Sequence, residues 1–186
     1  MPKLFIALPL ILLSFLVLLF WQGMQVDPNT LPAPALGKPV PAFSLPELGA
    51  PERTITQADV KGPALLHVWG TWCSSCRQEH EELMRIAAAG KLPIYGIDYQ
   101  DDAEAAQRWL KEKGNPYAFN IYDQQGVLTG QLTVIGAPET YYLDAAGIVR
   151  YRRIGPLTDK EWQEILKLLG EGSGAVASSV TIDYEQ

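Results

Sequence analysis

Hydrophobic positions along this chain fall into two kinds of run. One is long: residues 4–21 are almost continuously apolar, and no charged residue falls between Lys3 and Asp27. The others are short and separated by polar, helix-forming stretches. Ala64-Leu65-Leu66-His67-Val68-Trp69 and Leu92-Pro93-Ile94-Tyr95-Gly96-Ile97-Asp98 read as buried strands. Residues 77–89, rich in good helix formers and halted at Gly90, predict a helix directly after the first strand. Residues 101–113 predict a second helix, with acidic residues first, basic residues last and Gly114 at its end. Asn115-Pro116 marks a turn, 117–122 a short strand and 126–134 a weak helical segment. Residues 139–144 and 148–152, joined by Ala145-Ala146-Gly147, predict a hairpin. Thr158-Asp159-Lys160-Glu161 is a capping box opening a last helix that runs to about residue 169.

Strands alternating with helices, then a hairpin and a helix, predict an α/β domain with a mixed central sheet over residues 37–169. Before it, residues 37–48 alternate apolar and polar positions with several prolines, which suits a sheet edge better than its centre. Ile55 and the turn at Gln57-Ala58-Asp59 lead into the first buried strand. Pro28, Pro32 and Pro34 make residues 27–36 a semi-rigid linker, and the small, polar residues 170–186 predict a flexible tail. There is no internal repeat.

The long apolar run changes the compartment. About twenty apolar residues span a bilayer, and positive charge stays on the cytoplasmic side. Lys3 precedes the run and Asp27 follows it, so residues 4–26 are expected to lie in the lipid bilayer as an anchor with the rest of the chain exported. A cleaved signal peptide is the alternative. The run exceeds the usual apolar core and no Ala-x-Ala pattern follows it; Trp21 also suits an interfacial anchor. The net charge of −6, with no cluster of basic residues, excludes nucleic acid as a natural partner and fits solubility.

Both cysteines of the chain fall in Trp72-Cys73-Ser74-Ser75-Cys76-Arg77, at the turn from predicted strand to predicted helix. At a helix N-terminus, unsatisfied N–H groups and the positive end of the dipole favour a thiolate at Cys73. A thiolate is the nucleophile of disulfide exchange, and a second thiol two residues on can resolve the mixed disulfide. A structural zinc site would want about four ligands, and only His67 and His80 remain to supply them. A purely structural disulfide over so short a loop would constrain little unfolded-chain entropy. A redox couple, with no metal or cofactor, is the reading these residues favour. In an exported domain the pair needs an electron supply or an oxidising role.

A strand leading into Trp72-Cys73-x-x-Cys76 and a helix, with a proline just before a hairpin, resembles the thioredoxin fold. Gly37-Lys38-Pro39-Val40-Pro41-Ala42-Phe43, Trp69-Gly70-Thr71-Trp72-Cys73, Cys76-Arg77-Gln78-Glu79-His80, Lys113-Gly114-Asn115-Pro116-Tyr117 and Gly136-Ala137-Pro138-Glu139-Thr140 are similar to the CcmG/DsbE family. These are membrane-anchored periplasmic thiol:disulfide oxidoreductases of cytochrome c maturation. The resemblance implies a redox-active Cys73–Cys76 disulfide and a cis bond before Pro138, facing Cys73. Backbone beside that bond, at Ala137 and Thr140, would pair with an extended substrate; an ordinary trans turn proline is the alternative. It also implies an acidic rim of Glu79 and Glu139, although a solvated helix face and a strand start account for them equally simply. Such carboxylates would oppose thiolate formation.

Thioredoxins have a buried Asp six residues before the first Cys, where this chain has His67. That histidine could take the proton of Cys76 during its attack, or be a neutral core residue bonded to a backbone carbonyl. The mechanism implied is attack by an exposed Cys73, resolution by a more buried Cys76, and Trp72 as an apolar cover or a core aromatic. The substrate implied is the Cys-x-x-Cys-His disulfide of an apocytochrome c, and the electron donor a membrane dithiol transporter of the DsbD/CcdA kind. The location implied is the bacterial inner membrane, single-pass, with the C-terminal domain in the periplasm. A peroxiredoxin-like peroxidase would need a lone cysteine in a Pro-x-x-x-Thr-x-x-Cys setting, and a Sco-type copper carrier Cys-x-x-x-Cys plus a distal histidine. An apocytochrome-binding chaperone or a general periplasmic oxidant would use the same groove.

Overall fold

The structure, a computed structural model, describes residues 2–24 and 34–171, with side chains over 11–23 and 34–170. It divides into an N-terminal helix and a separate domain. The helix, α1 (Pro2–Met24), exposes Ile11, Leu12, Phe15, Leu16 and Trp21. No helix among the described residues is long and apolar enough to cross a membrane. Most of the expected linker and the tail beyond Glu171 lie outside the described residues.

The domain carries a seven-stranded mixed sheet. Its strands are β1 (Ser44–Glu47), β2 (Ala50–Thr56), β3 (Ala64–Trp69), β4 (Ile94–Tyr99), β5 (Phe119–Asp123), β6 (Glu139–Leu143) and β7 (Val149–Ile154). The order across the sheet is β2-β1-β5-β4-β3-β6-β7. β3 runs parallel to β4 and β4 to β5, while the outer pairs are antiparallel. The helices are α2 (Ser74–Ala88), α3 (Ala103–Lys113), α4 (Val127–Leu132) and α5 (Asp159–Glu171). This is the thioredoxin-like α/β architecture that the motif order predicts.

β3 is central, and all six of its residues are buried, as expected of a strand covered on both faces. Its side chains alternate between two cores. Leu66 and Val68 join Ile97, Ile121, Tyr141, Leu128 and Leu132 on one face. Leu65 and Trp69 join Ile94, Tyr142, both cysteines, Leu83 and Ile86 of α2, Leu110 of α3, and Trp162 and Ile165 of α5 on the other. Each fully buried aliphatic side chain contributes about 1.5–3 kcal/mol. The sheet therefore holds α2, and the cysteines with it, against a rigid floor.

The N-terminal hairpin differs from expectation. β1, though it contains Pro46, is not the edge: it lies between β2 and β5. Its pairing with β5 is limited to Glu47 opposite Ile121, so the proline interrupts little of that ladder. β2, with Pro51, takes the edge instead. At the other end α5 runs to Glu171, two residues past Leu169. Only part of its expected capping box forms, with the Thr158 N–H donating to Glu161 Oε2 at 3.1 Å.

Candidate active site

The chain leaves β3 at Trp69, turns through Gly70-Thr71-Trp72, and enters α2 at Ser74 with Cys73 as the N-cap. The Cys76 N–H, on the first turn, donates to Cys73 Sγ at 3.0 Å. The two cysteines are disulfide-bonded, with Cα atoms 5.3 Å apart. An N-cap side chain normally satisfies one of the orphan amides of a helix, and here a sulfur does so. After reduction the same amide would face a thiolate, a stronger acceptor, and so favour that form of Cys73 over the thiol. The expectation of an exposed Cys73 is corrected for the disulfide form. Both cysteines are 4% exposed, because α2 docks its first turn onto the Trp69 side of the sheet.

Four bonds grip the loop just before Cys73. Asp101, in the turn after β4, accepts from both the Thr71 N–H and the Thr71 hydroxyl, the latter at 2.6 Å. Arg77 Nη1 donates to the Thr71 carbonyl at 2.7 Å. The Trp72 indole N–H donates to the Tyr99 carbonyl at 2.9 Å, with its ring edge-on to Tyr99 at 6.2 Å. Trp72 is nevertheless 51% exposed, so it is no core aromatic. Ile135, two residues before Ala137, is another large apolar side chain left in solvent.

Beneath α2 lies a buried polar chain. Glu79, one turn after Cys76, reaches His67 Nε2 with Oε1 at 3.0 Å, and its Oε2 accepts from the Leu157 N–H at 2.6 Å. His67 Nδ1 is 3.0 Å from the Tyr117 hydroxyl, and the two rings stack at 5.9 Å. Where the Tyr117 phenol donates to Nδ1, the neutral ring carries its proton on Nε2 and donates to Glu79 Oε1. Burial above all, then Glu79 and Asp98, pushes the Tyr117 phenol well up and keeps it protonated. His67 thus bonds to no backbone carbonyl. Both of its ring nitrogens are occupied by side chains.

The cis bond implied before Pro138 is present between Ala137 and Pro138. Ala137 packs against the apolar cluster that contains both cysteines. The Pro138 carbonyl accepts from the Gly155 N–H at 2.9 Å. Thr140 is buried opposite His67 in the β3–β6 register, whereas Glu139 is opposite Val68 and so points to the other face of the sheet. There Glu139 Oε1 accepts from Arg152 Nε at 2.7 Å and from the Tyr141 hydroxyl, and its Oε2 from the Ile135 N–H at 3.3 Å. The expected acidic rim is corrected. Glu79 and Glu139 are 4% and 0% exposed, on opposite faces of the sheet, because each is drawn inward by buried donors.

The structure therefore brings Cys73, Cys76, Glu79 and His67 together through α2 and β3, and sets Ala137, Pro138 and Thr140 at the start of β6. Glu139 instead anchors residues 132–138 from below, with Arg152 Nη2 also donating to the Thr133 carbonyl at 3.2 Å. Sequence reasoning missed Tyr117, Arg152 and the acids Asp98 and Asp101 as parts of this assembly. Asp98 carries a readable signal, a carboxylate closing an otherwise apolar strand. The pairings of Tyr117 and Arg152 arise only from tertiary register.

Comparison with known proteins follows the same lines. The Redoxin family matches residues 35–169. The thiol:disulfide interchange protein DsbE of Pseudomonas aeruginosa is 47% identical over 167 residues, covering 89% of this chain and 92% of that protein. That of Escherichia coli K12 is 43% identical over 179 residues, covering 92% and 96%. Among solved structures, a DsbF homologue from Corynebacterium diphtheriae superposes with a TM-score of 0.61 at 26% identity, over 71% of this chain and 87% of that one. A capped, disulfide-bonded Cys-x-x-Cys on a thioredoxin-like sheet, matched over nearly the whole length of these relatives, makes the chain a thiol:disulfide oxidoreductase that belongs to the DsbE (CcmG) family.

Proposed function

We propose that this chain is a periplasmic dithiol reductant that opens the Cys-x-x-Cys-His disulfide of an apocytochrome c. The observation carrying this reading is the Cys76 N–H aimed at Cys73 Sγ, which prepares Cys73 as the attacking thiolate. In the reduced protein, Cys73 Sγ attacks one sulfur of the substrate disulfide. A Cys73–substrate S–S bond forms while the substrate bond breaks, and the second substrate sulfur leaves as a thiolate that takes a proton from water. Cys76 then loses its proton and attacks Cys73 Sγ, forming the bond seen here and expelling the first substrate sulfur. Two electrons pass to the substrate, and a membrane dithiol donor of the DsbD/CcdA type restores the cysteines.

Glu79, backed by His67 and Tyr117, serves in this scheme as acceptor of the Cys76 proton. The adjacent Glu79 and His67 share the added charge, which is what a proton acceptor in a dry interior requires. Ala137 offers its backbone to the extended substrate, and exposed Trp72 and Ile135 border it with apolar surface. The charge-free residues 4–26 after Lys3, helical through Met24, support a single-pass anchor in the inner membrane.

The test is made on the full-length chain in mild detergent. Its reduction potential is set against glutathione, and the reduced protein is mixed with an oxidised Cys-x-x-Cys-His peptide. A potential of about −270 to −200 mV with stoichiometric peptide reduction supports the reading. A potential near about −120 mV would make the protein a disulfide donor. Peptide binding that survives Cys73→Ser and Cys76→Ser, without any reduction by the wild type, would make it a chaperone.

A further inference from the structure

The next-to-last residue of β4 is a carboxylic acid with no ordinary partner. Asp98 is 0% exposed, and neither of its side-chain oxygens meets a donor among the described residues. Its neighbours in the sheet register are Trp69 on β3 and Tyr122 on β5. Trp69 spends its own N–H on Asn120 Oδ1, at 2.9 Å. The Tyr122 hydroxyl donates elsewhere, to the Asp101 carbonyl at 3.1 Å. A buried carboxylate left without donors is costly, and neutralising it is the usual escape.

The group that faces Asp98 is another acid, the Asp101 side chain, with Asp102 more remote. Asp101 is already spoken for as an acceptor: it takes the Thr71 N–H, the Thr71 hydroxyl at 2.6 Å and the Asp102 N–H at 2.8 Å. Asp101 is occupied as an acceptor and buried Asp98 meets no donor, so a proton held between the two carboxyls sits on Asp98. From the segment before β5, the neutral Tyr117 phenol faces the pair; beyond it stand His67 on β3 and Glu79 on α2. Every charged group acting on Asp98 is acidic, so nothing there favours its ionisation.

We infer that Asp98 is a positioning residue for disulfide exchange: as a neutral acid it donates to Asp101, and Asp101 in turn clamps Thr71, two residues before the nucleophile Cys73. Loss of that proton sets two negative charges against each other in a dry interior. Asp101 then withdraws from Thr71, and the loop that aims Cys73 and Trp72 loosens. The adjoining residue strengthens the link, because Tyr99 holds the Trp72 indole through its carbonyl. The exit of β4 is thus an alkaline-sensitive seat for the active-site loop, in addition to the thiol chemistry itself.

The test uses full-length protein in detergent, wild type beside Asp98→Asn. Asparagine keeps a donor for Asp101 and cannot ionise. Second-order rate constants for the reduced proteins with glutathione disulfide are measured from about pH 6 to about pH 10. Dividing the wild-type rate by the variant rate at each pH cancels the ionisation of Cys73 itself. The ratio is expected to stay near one in acid and neutral solution and to fall about tenfold above about pH 8, the loss expected when one charge-assisted hydrogen bond is broken. In wild type alone, the Thr71 amide proton resonance should titrate over the same range, moving upfield as its bond to Asp101 is lost. A ratio that stays flat to about pH 10 would overturn the inference, as would a Thr71 amide that does not move. The wild-type resonance decides the matter even if the variant does not fold.

Discussion

Glu79 Oε1 and His67 Nε2 lie 3.0 Å apart in an interior where neither side chain is more than 1% exposed. Deleting one partner of such a pair strands the other, so its function is best read through a substitution that keeps the shape. Glu79→Gln retains an oxygen for the Leu157 N–H but no longer accepts a proton. The attack of Cys76 on a preformed Cys73–glutathione disulfide is expected to slow by about a hundredfold, the low end of general-base contributions. The first attack by Cys73 should change little. Stopped-flow release of glutathione checks both, and equal slowing of the two steps would count against a proton acceptor.

The Cys76 amide on Cys73 Sγ predicts unequal cysteines in the reduced protein. Thiolate absorbance should show Cys73 ionising below the range of an ordinary cysteine. Cys76→Ser should accumulate a stable mixed disulfide through Cys73, and Cys73→Ser should accumulate none. Trapping through Cys76 alone would reverse the assignment.

On the far face of the sheet, Arg152 and Glu139 make a buried pair, with side chains 4% and 0% exposed. Arg152→Met is expected to cost about 3–5 kcal/mol in denaturant unfolding, because it leaves the Glu139 charge uncompensated. The accompanying double replacement with Glu139→Gln should recover part of that loss. Hydrogen exchange at the Ile135 amide should accelerate in the single variant, since Glu139 Oε2 is its acceptor.

Stability should also fall toward alkaline pH for a reason separate from catalysis. The Asp98 carboxyl is pushed from 3.8 up to about 8, by burial first and then by Asp101. Between those values the native state keeps a proton that the unfolded chain has already released. The stability this group contributes is therefore fully present below about pH 4 and lost as pH rises toward about 8, at up to about 1.4 kcal/mol per pH unit. Guanidinium unfolding at several pH values should show this decline in wild type and a flatter curve in Asp98→Asn. Parallel curves would contradict it.

Gly96 sits where the Trp69–Asn120 hydrogen bond crosses β4. A Cβ there would come within 1.9 Å of Asn120 Oδ1 and 2.9 Å of Trp69 Nε1. Gly96→Ala is expected to destabilise the domain by about 1–3 kcal/mol and to shift the fluorescence of Trp69. A thermal melt with tryptophan emission checks it.

Local patterns carried the fold a long way. The short apolar runs of the domain, the Gly90 and Gly114 stops and the Cys-x-x-Cys at a strand–helix junction are all local, and each strand and helix they imply is present. The N-terminal hairpin was less legible, because β2 is mostly exposed and its pairing with β1 depends on partners rather than on an apolar run. Within the site, the cysteines and Pro138 could be read from motifs. The inward turn of Glu79 could not, since its two partners come from residues 12 and 78 positions away. Glu139 lies one residue from Pro138, yet strand alternation sends it to the opposite core.

The bond from the Leu157 amide to Glu79 also has a consequence for timing. A chain that emerges N-terminus first presents both cysteines, α2 and Glu79 long before Leu157, and until then the second carboxylate oxygen of Glu79 has only water. The interior under the cysteines can dry out only when nearly the whole domain has been delivered. A growing chain would therefore offer its thiols to passing oxidants in an open, unselective form, and the selectivity of the finished redox couple would arrive with its last strand and helix.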